Sequence, residues 1–277
     1  MALHLRPVEP RQGLAWLKSA FRTFFRRPLA FALLFVVFLL GALVAMALPY
    51  LGGIVVMMAL PLLSLGYMVA TRSALAGGPV HPGQLFEPLR GDDRRRRALL
   101  QLCAYYALAT LLVMVVSDAL DGGRFERVQV LLATPERSGA EVAELDALFD
   151  DDRLLWGVVT RFGLTALLAI PFWHAPPLVL WGGQGALQAL FSSTLAVWRT
   201  RAAMLLYVGG WLAMIALVSV AFGLLFGLLG VGQLAGLVAM PAALVFTCVF
   251  YVSLYFTFTD TFGERAVPDG DDAVAAA

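Results

Sequence analysis

At 277 residues, with 60% hydrophobic and only 14% charged positions, the chain is too apolar to persist as a water-soluble globular domain. Its net charge of +1 says little by itself; where the charges fall says much more. The composition and motifs suggest neither a nucleic-acid partner nor a cofactor.

The first element is an amphipathic helix over residues 13–27. On it Leu14, Leu17, Phe21, Phe24 and Phe25 fall within an arc of about 100°. Arg11, Lys18, Arg22 and Arg26 occupy the neighbouring arc, while Trp16 and Arg27 depart from the pattern. Such a helix is expected to lie in the membrane interface as a topological anchor or as a surface for anionic lipid or a partner protein. No cleavable secretory leader is expected, because the apolar run that follows is too long for a signal core.

Six apolar runs then follow, at 29–48, 52–70, 98–117, 156–178, 203–229 and 234–258. At ~1.5 Å per residue each can cross a hydrocarbon core of ~30 Å. Their apolar character is continuous rather than alternating, which makes them helices and not barrel strands. Arg6, Arg11, Lys18, Arg22, Arg26 and Arg27 precede the first run; Arg72, Arg90, Arg94, Arg95, Arg96 and Arg97 lie between the second and third; Arg199 and Arg201 lie between the fourth and fifth. The segment 118–153, by contrast, holds four Arg against ten acids. The positive-inside rule therefore places both termini in the cytoplasm and 118–153 in the periplasm of a bacterial inner membrane. Within that acidic loop, Ser138 three residues before Glu141 is a capping-box signature that starts a short helix through Phe149. Its Leu145 and Phe149 are expected to rest on the membrane or on span ends.

The fourth run contains Pro171, Pro176 and Pro177 around His174, which bend or break the helix and free carbonyl groups. Two readings of His174 follow: a neutral imidazole donating to one of those carbonyls, or a gating or ligand-binding residue. Arg161 in the same run lies at membrane depth, where charge is costly unless it snorkels to water or finds a partner. Next comes a second amphipathic helix, with Leu187, Leu190, Phe191, Thr194, Leu195 and Trp198 on one face. The small-residue pairs Gly223/Gly227 and Gly232/Gly236 have the one-turn spacing that permits close helix approach. The acidic stretch 263–277 is expected to be a disordered cytoplasmic tail.

The two amphipathic helices, each followed by two spans, suggest a parallel internal repeat with halves 11–73 and 184–261, related by an axis along the membrane normal. Gln12-Gly13 matches Gln184-Gly185, and Tyr67, Thr71 and Arg72 match Tyr255, Thr259 and Asp260. If a pseudo-twofold operates, Arg72 and Asp260 reach equivalent depths and can pair across the halves; otherwise both face water. The fold expected is thus all-α, a polytopic bundle of six transmembrane helices and two interfacial helices in one domain over 1–262.

For catalysis the chain offers little. The histidines His4, His81 and His174 are scattered, there is no His-Glu-x-x-His or Gly-x-Ser-x-Gly run, and the one lysine, Lys18, follows no phosphate-cradling loop. Cys103 and Cys248 both fall inside spans and are read as free thiols. The four arginines Arg94, Arg95, Arg96 and Arg97 act first as a retention signal and secondly as a lipid or nucleotide contact.

Gly13-x-x-Trp16 leading to Phe25-Arg26-Arg27-Pro28, the Phe172-Trp173-His174-Ala175-Pro176 turn, and Tyr255-Phe256-Thr257-Phe258-Thr259-Asp260 together resemble an uncharacterised family of six-span inner-membrane proteins from beta- and gammaproteobacteria. The paired layout is more distantly similar to the membrane domain of glycerophosphodiester phosphodiesterases, without their catalytic domain. The resemblance implies topology and location, and brings no catalytic or binding residues with it. Two functions remain in view: a non-enzymatic protein that organises or binds envelope lipids or proteins, and a small-molecule transporter or channel with its site near the broken fourth span.

Overall fold

The computed structural model describes residues 3–134, 138–229 and 235–264. In chain order these form β1 (Leu3–Leu5), α1 (Gln12–Arg26), α2 (Pro28–Met46), α3 (Gly52–Leu75), two short 3-10 turns (Pro82–Leu85 and Glu87–Arg90) and α4 (Asp93–Asp121). They continue with α5 (Arg124–Ala133), α6 (Gly139–Phe149), α7 (Asp152–Phe172), α8 (Ala175–Leu180), α9 (Ala186–Arg199), α10 (Arg201–Leu228), α11 (Ala235–Thr261) and β2 (Phe262–Glu264). Six helical segments are long and apolar enough to cross a membrane, α7 and α8 together making the fourth. Each agrees with an apolar run in the sequence. The helices extend beyond the runs mainly at charged ends such as Asp93 and Arg201, because a helix continues past the hydrocarbon boundary while its side chains turn polar.

Alternation of the spans brings the start of α2, the end of α3, the start of α4, the end of α8, the start of α10 and the end of α11 to one end of the bundle, hereafter the basic end. There α1 packs into the wedge between α10 and α11. It is not a detached interfacial anchor: Trp16, Leu17, Ala20 and Phe24 are buried, and Leu14 and Phe25 of the same predicted face are exposed. Trp16, which departs from the amphipathic pattern, is 1% exposed and central to the packing. The approach is close because Gly13 has no side chain; a Cβ there would overlap the carbonyl oxygen of Ala203.

The second amphipathic helix does the reverse. α9 packs on α7, α8 and α4 through Ala186, Ala189, Ser193 and Ala196, all buried, while Leu187, Phe191 and Trp198 stand exposed. Small residues allow close contact within the bundle, and the large ones are left to lipid. The proposed halves are therefore not related by reciprocal packing, since α1 sits on α10 and α11 whereas α9 does not take the equivalent place on α2 and α3.

Two other expectations are corrected. A Cβ at Gly223 or Gly227 would meet nothing within 4 Å, so this pair does not bring helices together; Gly232 lies outside the described residues. The stretch 263–277 is not all tail: Gly263 and Glu264 belong to β2, which pairs antiparallel with β1. The remainder lies outside the described residues. At the other, acidic end α6 is capped by Ser138, whose Oγ accepts from the Glu141 N–H while the Glu141 carboxylate accepts from the Ser138 N–H. Its Leu145 packs with Val128, Leu131 and Leu154, whereas Phe149 is exposed. The partner helix α5 has no strong sequence signal, since it is short and follows two glycines.

Candidate functional site

The polar groups of this chain gather at its two ends, and the two gatherings are built differently. At the basic end, Asp260 closes the α1 wedge. Its Oδ2 accepts from Gln12 Nε2 at 2.6 Å and from Trp16 Nε1 at 2.8 Å. Asp260 thus does not pair with Arg72, contrary to the expectation drawn from the repeat. The donors come from α1, which the pseudo-twofold reading kept in the interface. Arg72 instead holds its guanidinium 5.7 Å from the ring centre of Trp181, a cation–π distance. The Trp181 ring is itself fixed edge-on by Tyr255.

Around these residues lies a rim of cations. Arg11 at the N-cap of α1, Lys18, Arg22 and Arg26 on α1, and Arg94, Arg95, Arg96 and Arg97 on α4 are all exposed. Among the described residues Arg95 pairs with Asp92 and Arg96 with Asp93, both one turn away on the same helix; the other six make no ion pair. Arg27 donates to the Gly78 carbonyl in the turn that follows α3.

His174 sits where α7 breaks. It is fully buried, its ring packed against Phe258 and Phe262 at 6.0 and 5.5 Å. The freed helix groups are not served by the imidazole, whose two nitrogens have no hydrogen-bond partner among the described residues. Ser193 of α9 serves them: His174 N–H donates to its Oγ at 3.0 Å, and that hydroxyl donates to the Ile170 carbonyl at 3.1 Å. A hydroxyl is thereby inserted between the two groups that an unbroken helix would join.

At the acidic end Arg161 pairs with Asp118, and lies 3.6 Å from the fully buried Asp121 and 4.2 Å from the ring centre of Phe125. It neither snorkels away nor lies in open space. Asp121 reaches it because Gly157 on the facing turn of α7 has no side chain; a Cβ there would overlap the Asp121 carboxylate. Gly122 and Gly123, at φ 63 and 79, adopt the left-handed turn that ends α4 and lets the Gly123 N–H donate to Asp121 Oδ1 at 2.7 Å. Arg124 joins Asp151 at 2.5 Å, and Arg127 grips both oxygens of Glu144 at 2.7 Å. The Arg127 guanidinium holds the Glu144 carboxyl below its ordinary range. Asp151 is held low first by the Arg153 N–H and then by Arg124.

Sequence reasoning found Arg161, His174, Arg72 and Asp260, but missed their partners. The signals that point to the partners are Asp121 with Gly157 at facing span ends, the Gln12 and Trp16 donors beside an acid that ends an apolar run, and Ser193 within a small-residue face.

No family model matches the chain, and no solved structure matches it. Over 265 residues, covering 95% of both chains, it is 31% identical to "Probable inner membrane protein BTH_II0599" of Burkholderia thailandensis. With six membrane-crossing helices and this similarity along nearly its whole length, the chain belongs to the family of that probable inner membrane protein.

Proposed function

We propose that this protein is a non-enzymatic component of the inner membrane that binds and organises anionic envelope lipids through its basic end, with both termini in the cytoplasm. The observation that carries the reading is the rim of six exposed cations without carboxylate partners among the described residues, Arg11, Lys18, Arg22, Arg26, Arg94 and Arg97. Cations fixed at the bilayer surface each gain about 1 kcal/mol from an anionic leaflet. Leu187, Phe191 and Trp198 of α9 face outward as a further apolar surface for the interfacial layer. A membrane-protein partner would meet the same surface.

The two ionisable residues of the fourth span, near which a transport site was expected, are enclosed: His174 by phenyl rings, Arg161 by two carboxylates and Phe125. That supports a lipid-facing role over a conduction path. The test is native mass spectrometry of the full chain released from mixed phosphatidylglycerol and phosphatidylcholine bilayers. The parent should retain phosphatidylglycerol in preference, and the triple variant Lys18→Gln, Arg22→Gln, Arg26→Gln should lose most of that preference. Equal retention of both lipids by the parent would contradict the proposal.

A further inference from the structure

Between the last turns of α3, the two 3-10 turns, the first turn of α4 and the end of α8 lies a cavity of about 540 Å³, a size that suits a small ligand or headgroup. Its walls carry Arg72, Arg95, Glu87, Ser73, His81 and Trp181. The wall is constructed rather than incidental. Gln84, 3% exposed, accepts from the His81 N–H at 3.1 Å and donates to the Pro79 carbonyl at 3.1 Å, and the Ser73 hydroxyl donates to that same carbonyl at 2.7 Å. These bonds fix the 3-10 segment that brings Glu87 to the cavity.

The charges within it are mismatched in a specific way. The Arg72 guanidinium makes no ion pair or hydrogen bond among the described residues, and lies over the Trp181 ring. Arg95 has the exposed Asp92 at 3.3 Å, a weak hold that a better acceptor displaces. Glu87 has no ion-pair partner among the described residues. An anion alone would satisfy Arg72 and leave Glu87 opposed; a cation alone would do the reverse. Two guanidinium groups and one carboxylate in the wall call for a ligand that carries both signs. The site also lies where three span ends meet, beside an interfacial tryptophan, which is the depth of lipid phosphates.

We propose that this cavity binds the headgroup of a zwitterionic aminophospholipid, a phosphate diester on Arg72 and Arg95 with the ammonium facing Glu87. The inference rests on the lipid-binding reading for the depth of the site, but uses different residues from the rim.

The test is the thermal shift of the full-length protein in a neutral maltoside detergent, titrated with dihexanoyl phosphatidylethanolamine, dihexanoyl phosphatidylglycerol and soluble phosphoethanolamine. The ethanolamine lipid should raise Tm most, as mass action on the folded state requires. Arg72→Gln should weaken its apparent affinity on the order of tenfold to a hundredfold, the effect of losing a charged hydrogen-bond donor. Glu87→Gln should bring the two lipids to equal effect. The same shift in parent and Arg72→Gln would overturn the site, and an equal response to soluble phosphoethanolamine would overturn the lipid as its source. The rim variant separates the two readings: an ethanolamine response that survives there, with phosphatidylglycerol preference lost, supports both, whereas unchanged phosphatidylglycerol preference counts against the rim alone.

Discussion

At the acidic end Arg124, Arg127 and Arg161 are bound to carboxylates of that same end, and the basic end leaves most of its cations free. Arg124, Arg127 and Arg161 each meet a carboxylate from another helix. Arg11, Lys18, Arg22, Arg26, Arg94 and Arg97 meet none among the described residues, and the two rim arginines that do are paired within one turn of α4. Charges joined across helices tie structure together, whereas charges displayed outward are available to something else. The difference teaches that arginine number alone would not separate the ends; what separates them is whether acids on facing helices come within reach.

Breaking the acidic end should cost the most. Arg161→Ala leaves Asp121 fully buried without its cation, and should lower stability by about 3–5 kcal/mol, read as thermal unfolding in detergent. Gly157→Ala should move in the same direction by pushing α7 away from Asp121, and Arg161→Ala combined with Asp121→Ala should recover part of the loss.

The exception at the basic end sharpens the comparison. Asp260 is engaged there, but by neutral donors. Asp260→Ala strands Trp16 Nε1 and Gln12 Nε2, and should cost about 2–3 kcal/mol, the scale for hydrogen bonds to a charged group. The effect should appear as faster hydrogen exchange across α1 while the outer helices stay protected.

A smaller effect is expected from pH. Glu144 and Asp151 are held below their ordinary values, so their contribution is fully present above the unfolded carboxylate range of about pH 4 and is lost as pH falls through the lowered folded values. Hydrogen exchange in α5 and α6 should therefore rise on acidification below that range, with α9, which contains no carboxylate, unchanged; a parallel rise in α9 would contradict the assignment. The smallest effect on stability belongs to Lys18→Gln, Arg22→Gln and Arg26→Gln, within about 0.5 kcal/mol each, although lipid preference should fall most in these variants.

Much of the fold was legible from the residues. Six apolar runs gave six crossing helices because length and continuity suffice to identify a span, and Ser138 with Glu141 marked α6 because a capping box is local chemistry. The orientation of α1 and α9 was not legible. An amphipathic pattern reveals an apolar face, but in a membrane either lipid or protein can cover it. Trp16 went inward because Asp260 offered an acceptor, and the small face of α9 went inward because Ser193 fitted the break at His174. Such partners lie 244 and 19 residues apart in the chain, beyond the reach of any periodicity. The β1–β2 pairing was missed for the same reason, since strands of three residues carry no pattern of their own.

The sidedness that underlies the account is open to direct measurement. Ala140 lies exposed in α6, and Cys103 and Cys248 are buried, so Ala140→Cys should react with an impermeant thiol reagent applied from the periplasmic face of intact cells. Labelling only after the inner membrane is opened would reverse the orientation.

The central claim is that the free cations of the basic end select anionic lipid. The most direct measurement is electron spin resonance of the full chain in bilayers containing spin-labelled phosphatidylglycerol or phosphatidylcholine, which gives the fraction of each lipid held at the protein surface. The account predicts more immobilised phosphatidylglycerol than phosphatidylcholine, with the excess falling as salt rises and falling again in the Lys18, Arg22, Arg26 triple glutamine variant. Equal immobilisation of the two lipids at low salt, unchanged in that variant, would contradict it.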